Sequence, residues 1–353
     1  MVRAKFWAEK RAPFELAGQK IAAGTVETID VPVSLLSNHA AVSMPVRVFH
    51  GSKPGPVLFI SAAVHGDEII GVEIIRRVIQ NVSIKRLRGT LLCIPVVNAY
   101  GFIARQRYLP DRRDLNRVFP GSARGSLAAQ LAHMFTTEII ARSDYGIDLH
   151  SAGLHRENLP QIRISEGRPK ATELADVFGA PAVLVSKLRD GSLRQTAADN
   201  NCDVLLMESG EALRFDEFAI RIGTRGILRV MEHLDMGVRK QSTRAAKSVH
   251  SDRTRWVRAE EGGLFRSTRK IGQFVEKGEV MGYVSDPFGD IDLPVEAPVK
   301  GIIIGRTNLP VVNMGDALVH VAEVVRPDTA DERLTQIEEA AFEDELFDED
   351  EII

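Results

Sequence analysis

The run Val57–Val64, Val-Leu-Phe-Ile-Ser-Ala-Ala-Val, has the continuous apolar character of a strand covered on both faces. Within Glu68–Val82, Ile69, Val72, Ile75, Ile79 and Val82 then recur at helical spacing, which predicts a helix. Strand-like runs return at Thr90–Val97, Tyr145–Leu149, Ala182–Ser186 and Val204–Met207. Helical patterns fall at Ser126–Ala141, Pro169–Phe178 and Glu211–Leu234. This alternation predicts an α/β domain over residues 51–235, with a mainly parallel mixed sheet flanked by helices. Working residues in such sheets collect beyond the carboxyl ends of the strands. The β-prone pieces Gly24–Val33 and Val42–Phe49 make residues 1–50 a β-rich extension packed on that domain.

Past residue 235 the pattern changes three times. Residues 236–258 scatter Arg239, Lys240, Arg244, Lys247, Arg253, Arg255 and Arg258 among Ser, Thr and Ala with no apolar stripe. They read as a basic, solvated linker, with a basic docking patch as the sharper alternative. Residues 259–326 form short β segments punctuated by Gly and Pro, with a weak internal repeat between Phe274–Met281 and Val311–Leu318. They predict a small all-β domain. Its repeat and its Glu296-Ala297-Pro298-Val299-Lys300-Gly301-Ile302 turn resemble the biotinyl/lipoyl-carrier fold. The hairpin tip, Ser285–Asp292, has no lysine to modify. Lys300 therefore reads as structural and carrier chemistry as absent. In the last stretch, 327–353, seven of the nine residues 343–351 are carboxylates, a composition that favours a disordered, solubilising tail. Phe342, Leu346 and Phe347 would also let it dock on a basic groove.

Composition narrows the partners. The 353 residues are 44% hydrophobic and 26% charged, with a net charge of −3. This balance points to neither nucleic acid nor a membrane surface. The N-terminus lacks the apolar core of a signal peptide, and no run approaches the ~20 apolar residues of a membrane span. Cys93 and Cys202 both sit in apolar runs and read as buried, reduced thiols. A cytoplasmic protein is expected, with a homo-oligomer left open.

The most informative residues follow the first buried strand: His65-Gly66-Asp67-Glu68. A separation of three on a turn into a helix lets an imidazole and a carboxylate converge. Such a pair suits Zn²⁺, which keeps one position open for water at catalytic sites. His150, at the end of the strand beginning near Tyr145, supplies a third ligand. Each alone has an ordinary reading as cap, helix-terminal charge or turn histidine; their equivalent places in the α/β pattern favour one zinc per chain. Asp67 reads as a capping or supporting residue. Alternation puts Asp148 on the face of His150, as its support or as a plain buried aspartate. Hydrolysis also needs a base to move a proton from water to the leaving group. Glu208, ending the apolar strand before Ser209-Gly210, is the candidate, and Glu211 the fallback. Between the ligands lies an arginine-dense loop, with Arg105, Arg107, Arg112, Arg113 and Arg117. Arginine grips carboxylates in two-pronged bonds and can stabilise an oxyanion.

In this order, His65-Gly66-Asp67-Glu68, Asp114-Leu115-Asn116-Arg117, Asp148-Leu149-His150 and Glu208 with Gly210 resemble the succinylglutamate desuccinylase/aspartoacylase family of zinc-carboxypeptidase-like hydrolases. The resemblance covers roughly residues 50–325. It implies His65, Glu68 and His150 as zinc ligands and Glu208 as general acid/base. It implies Asn116 and Arg117 as grips on a substrate carboxylate, and Arg107 as the group polarising the scissile carbonyl. The long loop from Arg107 to Asp114 makes Arg113 a competitor for that role. For the family's downstream arginine and C-domain tyrosine, Arg163 and Tyr283 are the candidates. The expected activity is deacylation of an N-acyl amide of a small, acidic, amino-acid-like substrate. Trimming of acidic residues from peptides or protein tails is a second enzymatic reading, and a zinc-containing binding module without catalysis a reading of another class.

Overall fold

A computed structural model describes residues 11–35, 37–238 and 247–324. The chain opens with a short hairpin, β1 (Phe14–Leu16) and β2 (Gln19–Ile21), and a long antiparallel pair, β3 (Thr25–Leu35) and β4 (Ala41–His50). The α/β body runs through β5 (Lys53–Ala62), α1 (Ile70–Asn81), β6 (Arg88–Ile94), α2 (Ala99–Ala104) and α3 (Leu127–Glu138). It continues through β7 (Tyr145–Ala152), β8 (Arg156–Ile164), α4 (Pro169–Phe178) and β9 (Ala182–Val185). It closes with α5 (Leu193–Asp199), β10 (Asp203–Glu211) and α6 (Glu217–His233). The C-terminal strands are β11 (Val249–Ser251), β12 (Thr254–Arg258), β13 (Gly263–Ser267), β14 (Phe274–Val275) and β15 (Val280–Ser285). After them come β16 (Asp292–Glu296), β17 (Gly301–Thr307), β18 (Val311–Val312) and β19 (Ala317–Glu323).

One large sheet orders its strands β12-β19-β17-β8-β10-β7-β5-β6-β4-β3, with β9, β11 and β14 off this path. Its centre, β6-β5-β7-β10, is parallel, as is the β8-β9-β11 branch; the other pairings are antiparallel. The sheet is mixed, as expected, with its parallel pairings in that centre and that branch. In the wings β3 and β4 form a hairpin, and β8, β17, β19 and β12 each run against their neighbours along the path. Helices cover both faces. Ile70 and Ile74 of α1, Phe178 of α4 and Ile227 of α6 share one core; Leu131 and Phe135 of α3 and Leu193 of α5 share another. Cys93 and Cys202 are buried free thiols.

The stretch read as a linker departs from expectation. Arg239, Lys240 and Arg244 lie outside the described residues, but β11 and β12 are strands of the large sheet, paired with β9 and β19. Here Trp256 and Val257 are partly buried between exposed arginines, so a strand with few apolar residues reads as polar coil. The C-terminal segment is shared between two sheets as well. Only β16-β15-β13-β18 form a separate four-stranded sheet, while β17 and β19 join the large one. Lys300 pairs with Glu276 at 3.0 Å and sits over the Phe274 ring. The tail, 327–353, lies outside the described residues.

Candidate active site

The central strands deliver the site by register. Asp148 pairs with Ser61 across β7 and β5, and His150 with Glu208 across β7 and β10. Partners across adjacent strands share a face, so Ser61, Asp148, His150 and Glu208 converge on one side of the carboxyl ends. After β5, Ala63 adopts the left-handed conformation (φ 51°), which turns the chain into the His65 loop. The backbone N–H of Glu68 bonds to the His65 carbonyl at 3.1 Å. That tight turn closes before α1 begins at Ile70, so Glu68 precedes the helix and does not lie in its first turn. Asp67 does not cap α1: the N-cap position, Ile69, makes no side-chain bond, and Asp67 Oδ1 is buried without a partner.

His65, Glu68 and His150 are all buried, and one ligand atom from each lies within 4.8 Å of the others. Both imidazoles turn Nδ1 to Glu68, His65 at 2.7 Å from Oε1 and His150 at 2.7 Å from Oε2. Their far nitrogens are held by carboxylates: His65 Nε2 is 3.0 Å from Asp114 Oδ1, and His150 Nε2 is 2.8 Å from Asp148 Oδ2. Ser61 Oγ in turn donates to Asp148 at 2.7 Å. Carboxylate support behind each imidazole is the arrangement that orients metal-binding histidines. Burial alone would raise the Glu68 carboxyl, but His65 and His150 hold it well below its ordinary range. Burial opposes the imidazolium of His150, yet Asp148 and Glu68 raise it well above its usual value. At His65, Glu68 and Asp114 likewise outweigh burial and raise the imidazole. Two imidazoles and a carboxylate with ligand atoms this close, each imidazole backed by a second carboxylate, form a group that could hold a metal ion.

A cleft of about 390 Å³ opens on this cluster. Seven cationic side chains, among them Arg107, Arg117, Arg163 and Arg194, line it against two carboxylates, Glu68 and Glu208. Arg107 bonds to Glu68 at 3.0 Å and to Asp114 at 2.9 and 3.2 Å. Two of its five N–H groups are engaged with Asp114 and one with Glu68, which leaves two for a ligand. Asn116 Oδ1 accepts from Leu193 N at 2.8 Å, tying the loop to the start of α5. The two segments meet at Gly191, where φ is +75° and a Cβ would lie 2.4 Å from the Arg117 carbonyl. Glu208 accepts from Asn158 Nδ2 at 3.2 Å and has Arg163 NH1 at 3.7 Å.

The structure therefore gathers His65, Glu68, His150, Glu208, Arg107, Asn116, Arg117 and Arg163 around one cleft. It does not bring in Arg113, which faces solvent near Asp111 at 3.8 Å, nor Tyr283, on the separate four-stranded sheet. Glu211 is occupied by the His155 N–H and Asn308, each at 3.0 Å, and does not line the cleft. Arg194 was missed from the sequence. Burial, with Arg163 close by, pushes its guanidinium down to about 10. Arg194 NH1 and Arg163 Nε are buried without partners. A signal existed: Arg194 stands in the first turn of α5, just after the Ser192 cap, where a positive charge opposes the helix dipole.

The family model of the succinylglutamate desuccinylase/aspartoacylase catalytic domain matches residues 54–234. Over 298 residues the chain is 28% identical to the N-alpha-acetyl-L-2,4-diaminobutyric acid deacetylase of Halomonas elongata, covering 81% of this chain and 87% of that protein. A succinylglutamate desuccinylase/aspartoacylase from Rhodobacter sphaeroides superposes with a TM-score of 0.75 at 27% identity, covering 85% of this chain and 96% of the other. The product-bound ectoine utilization protein EutE (DoeB) of Ruegeria pomeroyi gives a TM-score of 0.76 at 22% identity, covering 84% and 95%, a likeness of fold.

Proposed function

The chain belongs to the succinylglutamate desuccinylase/aspartoacylase family, and from that premise we propose that it is a zinc-dependent deacylase of N-acyl amino acids bearing a free carboxylate. Its relatives are hydrolases of amide bonds, which sets aside the binding module without catalysis. The observation that carries the proposal is the buried His65–Glu68–His150 cluster opening onto a cationic cleft beside Glu208.

Two nitrogens and one carboxylate oxygen are a ligand set that catalytic zinc uses. Zinc, when bound, polarises the carbonyl and makes a water nucleophilic at neutral pH. Glu208 takes a proton from the attacking water and returns it to the leaving nitrogen, so the amide becomes a carboxylate and an amine. Asn158 aims its carboxylate. Arg107 offers its remaining N–H groups to the oxyanion, where a preorganised donor is worth most.

Arg117 and the Arg163–Arg194 pair hold the substrate carboxylates. The Halomonas relative is named for a substrate whose side chain ends in an amine. With seven cations against two carboxylates, the cleft here favours an acid over an amine at that place. Arg194→Met is expected to raise KM for an acidic N-acyl amino acid roughly 10- to 150-fold, the loss of a charge-assisted bond, with little change in kcat. Steady-state kinetics check this, and an unaltered KM would remove Arg194 from the carboxylate site. The function as a whole is tested by incubating the pure protein with a panel of N-acyl amino acids and acidic peptides and following amine release. Release from the small amides supports deacylation. Release from peptide termini alone would favour the tail-trimming reading.

A further inference from the structure

The cleft carries more positive charge than the reaction uses. Of its seven cationic side chains, Arg107 serves the oxyanion, and Arg117, Arg163 and Arg194 serve the substrate carboxylates. Arg156, Lys187 and Arg189 have no part in that chemistry. All three line the cleft and are exposed, and among the described residues none of them pairs with a carboxylate. Arg156 stands over the Trp256 ring, 5.6 Å from its centroid, a contact that holds the charge in place without neutralising it. An apolar rim adjoins these cations. Leu154 lies in the chain between the cleft residues Gly153 and Arg156 and is 47% exposed. Leu309 is 45% exposed and follows Asn308, whose N–H bonds to the His155 carbonyl at 2.7 Å. Exposed cations beside exposed leucines fit a partner that mixes carboxylates with apolar side chains.

We propose that residues 342–351 of this chain dock across the mouth of the cleft, and that acidic substrates must displace them. The segment carries seven carboxylates at 343–351, with Phe342, Leu346 and Phe347 beside them. Its carboxylates match Arg156, Lys187 and Arg189, and its apolar side chains match the leucine rim. Reach follows from the chain. The last described residue, Val324, comes four residues after His320, which lines the cleft. At ~3.3 Å per strand residue, the tether starts about 13 Å from that wall. Residues 325–341 can then span roughly 55–60 Å, so length does not limit the contact. Exposed ion pairs are individually weak. A tethered segment meets its site at about millimolar effective concentration, enough for weak contacts to hold it while a substrate can still displace it. The docking stands apart from the deacylase reading; the competition with substrate rests on that reading.

A carbodiimide, which joins a carboxylate to an amine in direct contact, reads the docking without turnover. In full-length protein mixed from isotopically light and heavy copies, the expected product links Lys187 to residues 343–351 within one copy. Lys300, 3.0 Å from Glu276, is the internal control for the reaction, and Lys53, exposed and outside the cleft, is the control for chance encounter. Absence of the Lys187 link, a segment joined to Lys53 as often as to Lys187, or links only between copies overturns the docking. Kinetics with an acidic N-acyl amino acid read the competition. Glu→Gln and Asp→Asn at all seven acidic positions of 343–351 should lower KM roughly 3- to 10-fold, the scale of a site that a tethered competitor leaves partly free, and leave kcat unchanged. A synthetic peptide of residues 337–353 added to that variant should raise KM again. An unchanged KM, or a peptide that does not compete, overturns the competition. A protein that hydrolyses no N-acyl amino acid yet forms the Lys187 link would sink the deacylase reading and keep the docking.

Discussion

Glu208→Gln is expected to lower kcat by about 10²- to 10⁴-fold, the usual contribution of a positioned acid–base group, while folding and bound metal are retained. Gln preserves the shape and can still accept from Asn158 Nδ2, as Glu208 Oε2 does at 3.2 Å. What it loses is the capacity to carry a proton between water and the leaving nitrogen. Glu208 stands beside His150 in the β10–β7 register, so the loss should fall on chemistry and leave KM within a few-fold of wild type. Single-turnover kinetics with circular dichroism and metal analysis separate these effects. Near-normal kcat would make Glu208 structural and leave the cleft without a base, since Glu211 is held elsewhere by His155 and Asn308.

His150→Ala is expected to abolish stoichiometric metal and to destabilise the fold. The imidazole lies between Glu68 and Asp148 at 2.7 and 2.8 Å, and all three groups are buried. Removing it leaves the buried Asp148 with Ser61 as its neutral partner and takes one charged partner from Glu68, which keeps His65 and Arg107. Breaking a buried ion pair by deleting one partner costs about 3–5 kcal/mol, a large share of the ~5–15 kcal/mol that holds an ordinary domain. Denaturant melts of metal-free wild type and variant measure the structural part, and elemental analysis the metal part. Metal retained at the wild-type ratio would take His150 out of the ligand set.

How far the sequence could be read follows from what each element is for. α4 was legible to the residue, Pro169–Phe178, because a proline opens it, a left-handed Gly179 closes it, and its apolar stripe serves only the core. β5 and β7 were legible as buried strands for the same reason. β8 was not: Asn158, Gln161 and Arg163 interrupt its apolar residues, although the strand is mostly buried. Asn158 and Arg163 are cleft residues, so function erased the strand's period. β12 hid likewise behind its arginines while presenting Trp256 to the cleft. The helix expected over Glu211–Leu234 begins only at Glu217, because strand β10 extends to Glu211 and Asp216 supplies the N-cap by accepting from Ala219 N. At the site, His65, Glu68 and His150 could be found because they end or follow strands visible in the pattern. Arg194 sits on a seven-residue helix too short for its periodicity to show, and His320 joins the cleft through pairings far apart in the chain. Local propensity and pattern fail where residues serve the site and hold where they serve the core.

The proposed function requires one metal, held by His65, Glu68 and His150, for amide hydrolysis. Its most direct test is a titration: strip the protein with chelator, then follow hydrolysis of an acidic N-acyl amino acid as zinc is added back in sub-stoichiometric steps. The predicted result is negligible turnover in the stripped protein, a linear rise, and a break at one zinc per chain, with no rise in His150→Ala. Full turnover in verified metal-free protein, or the same break in His150→Ala, would contradict it.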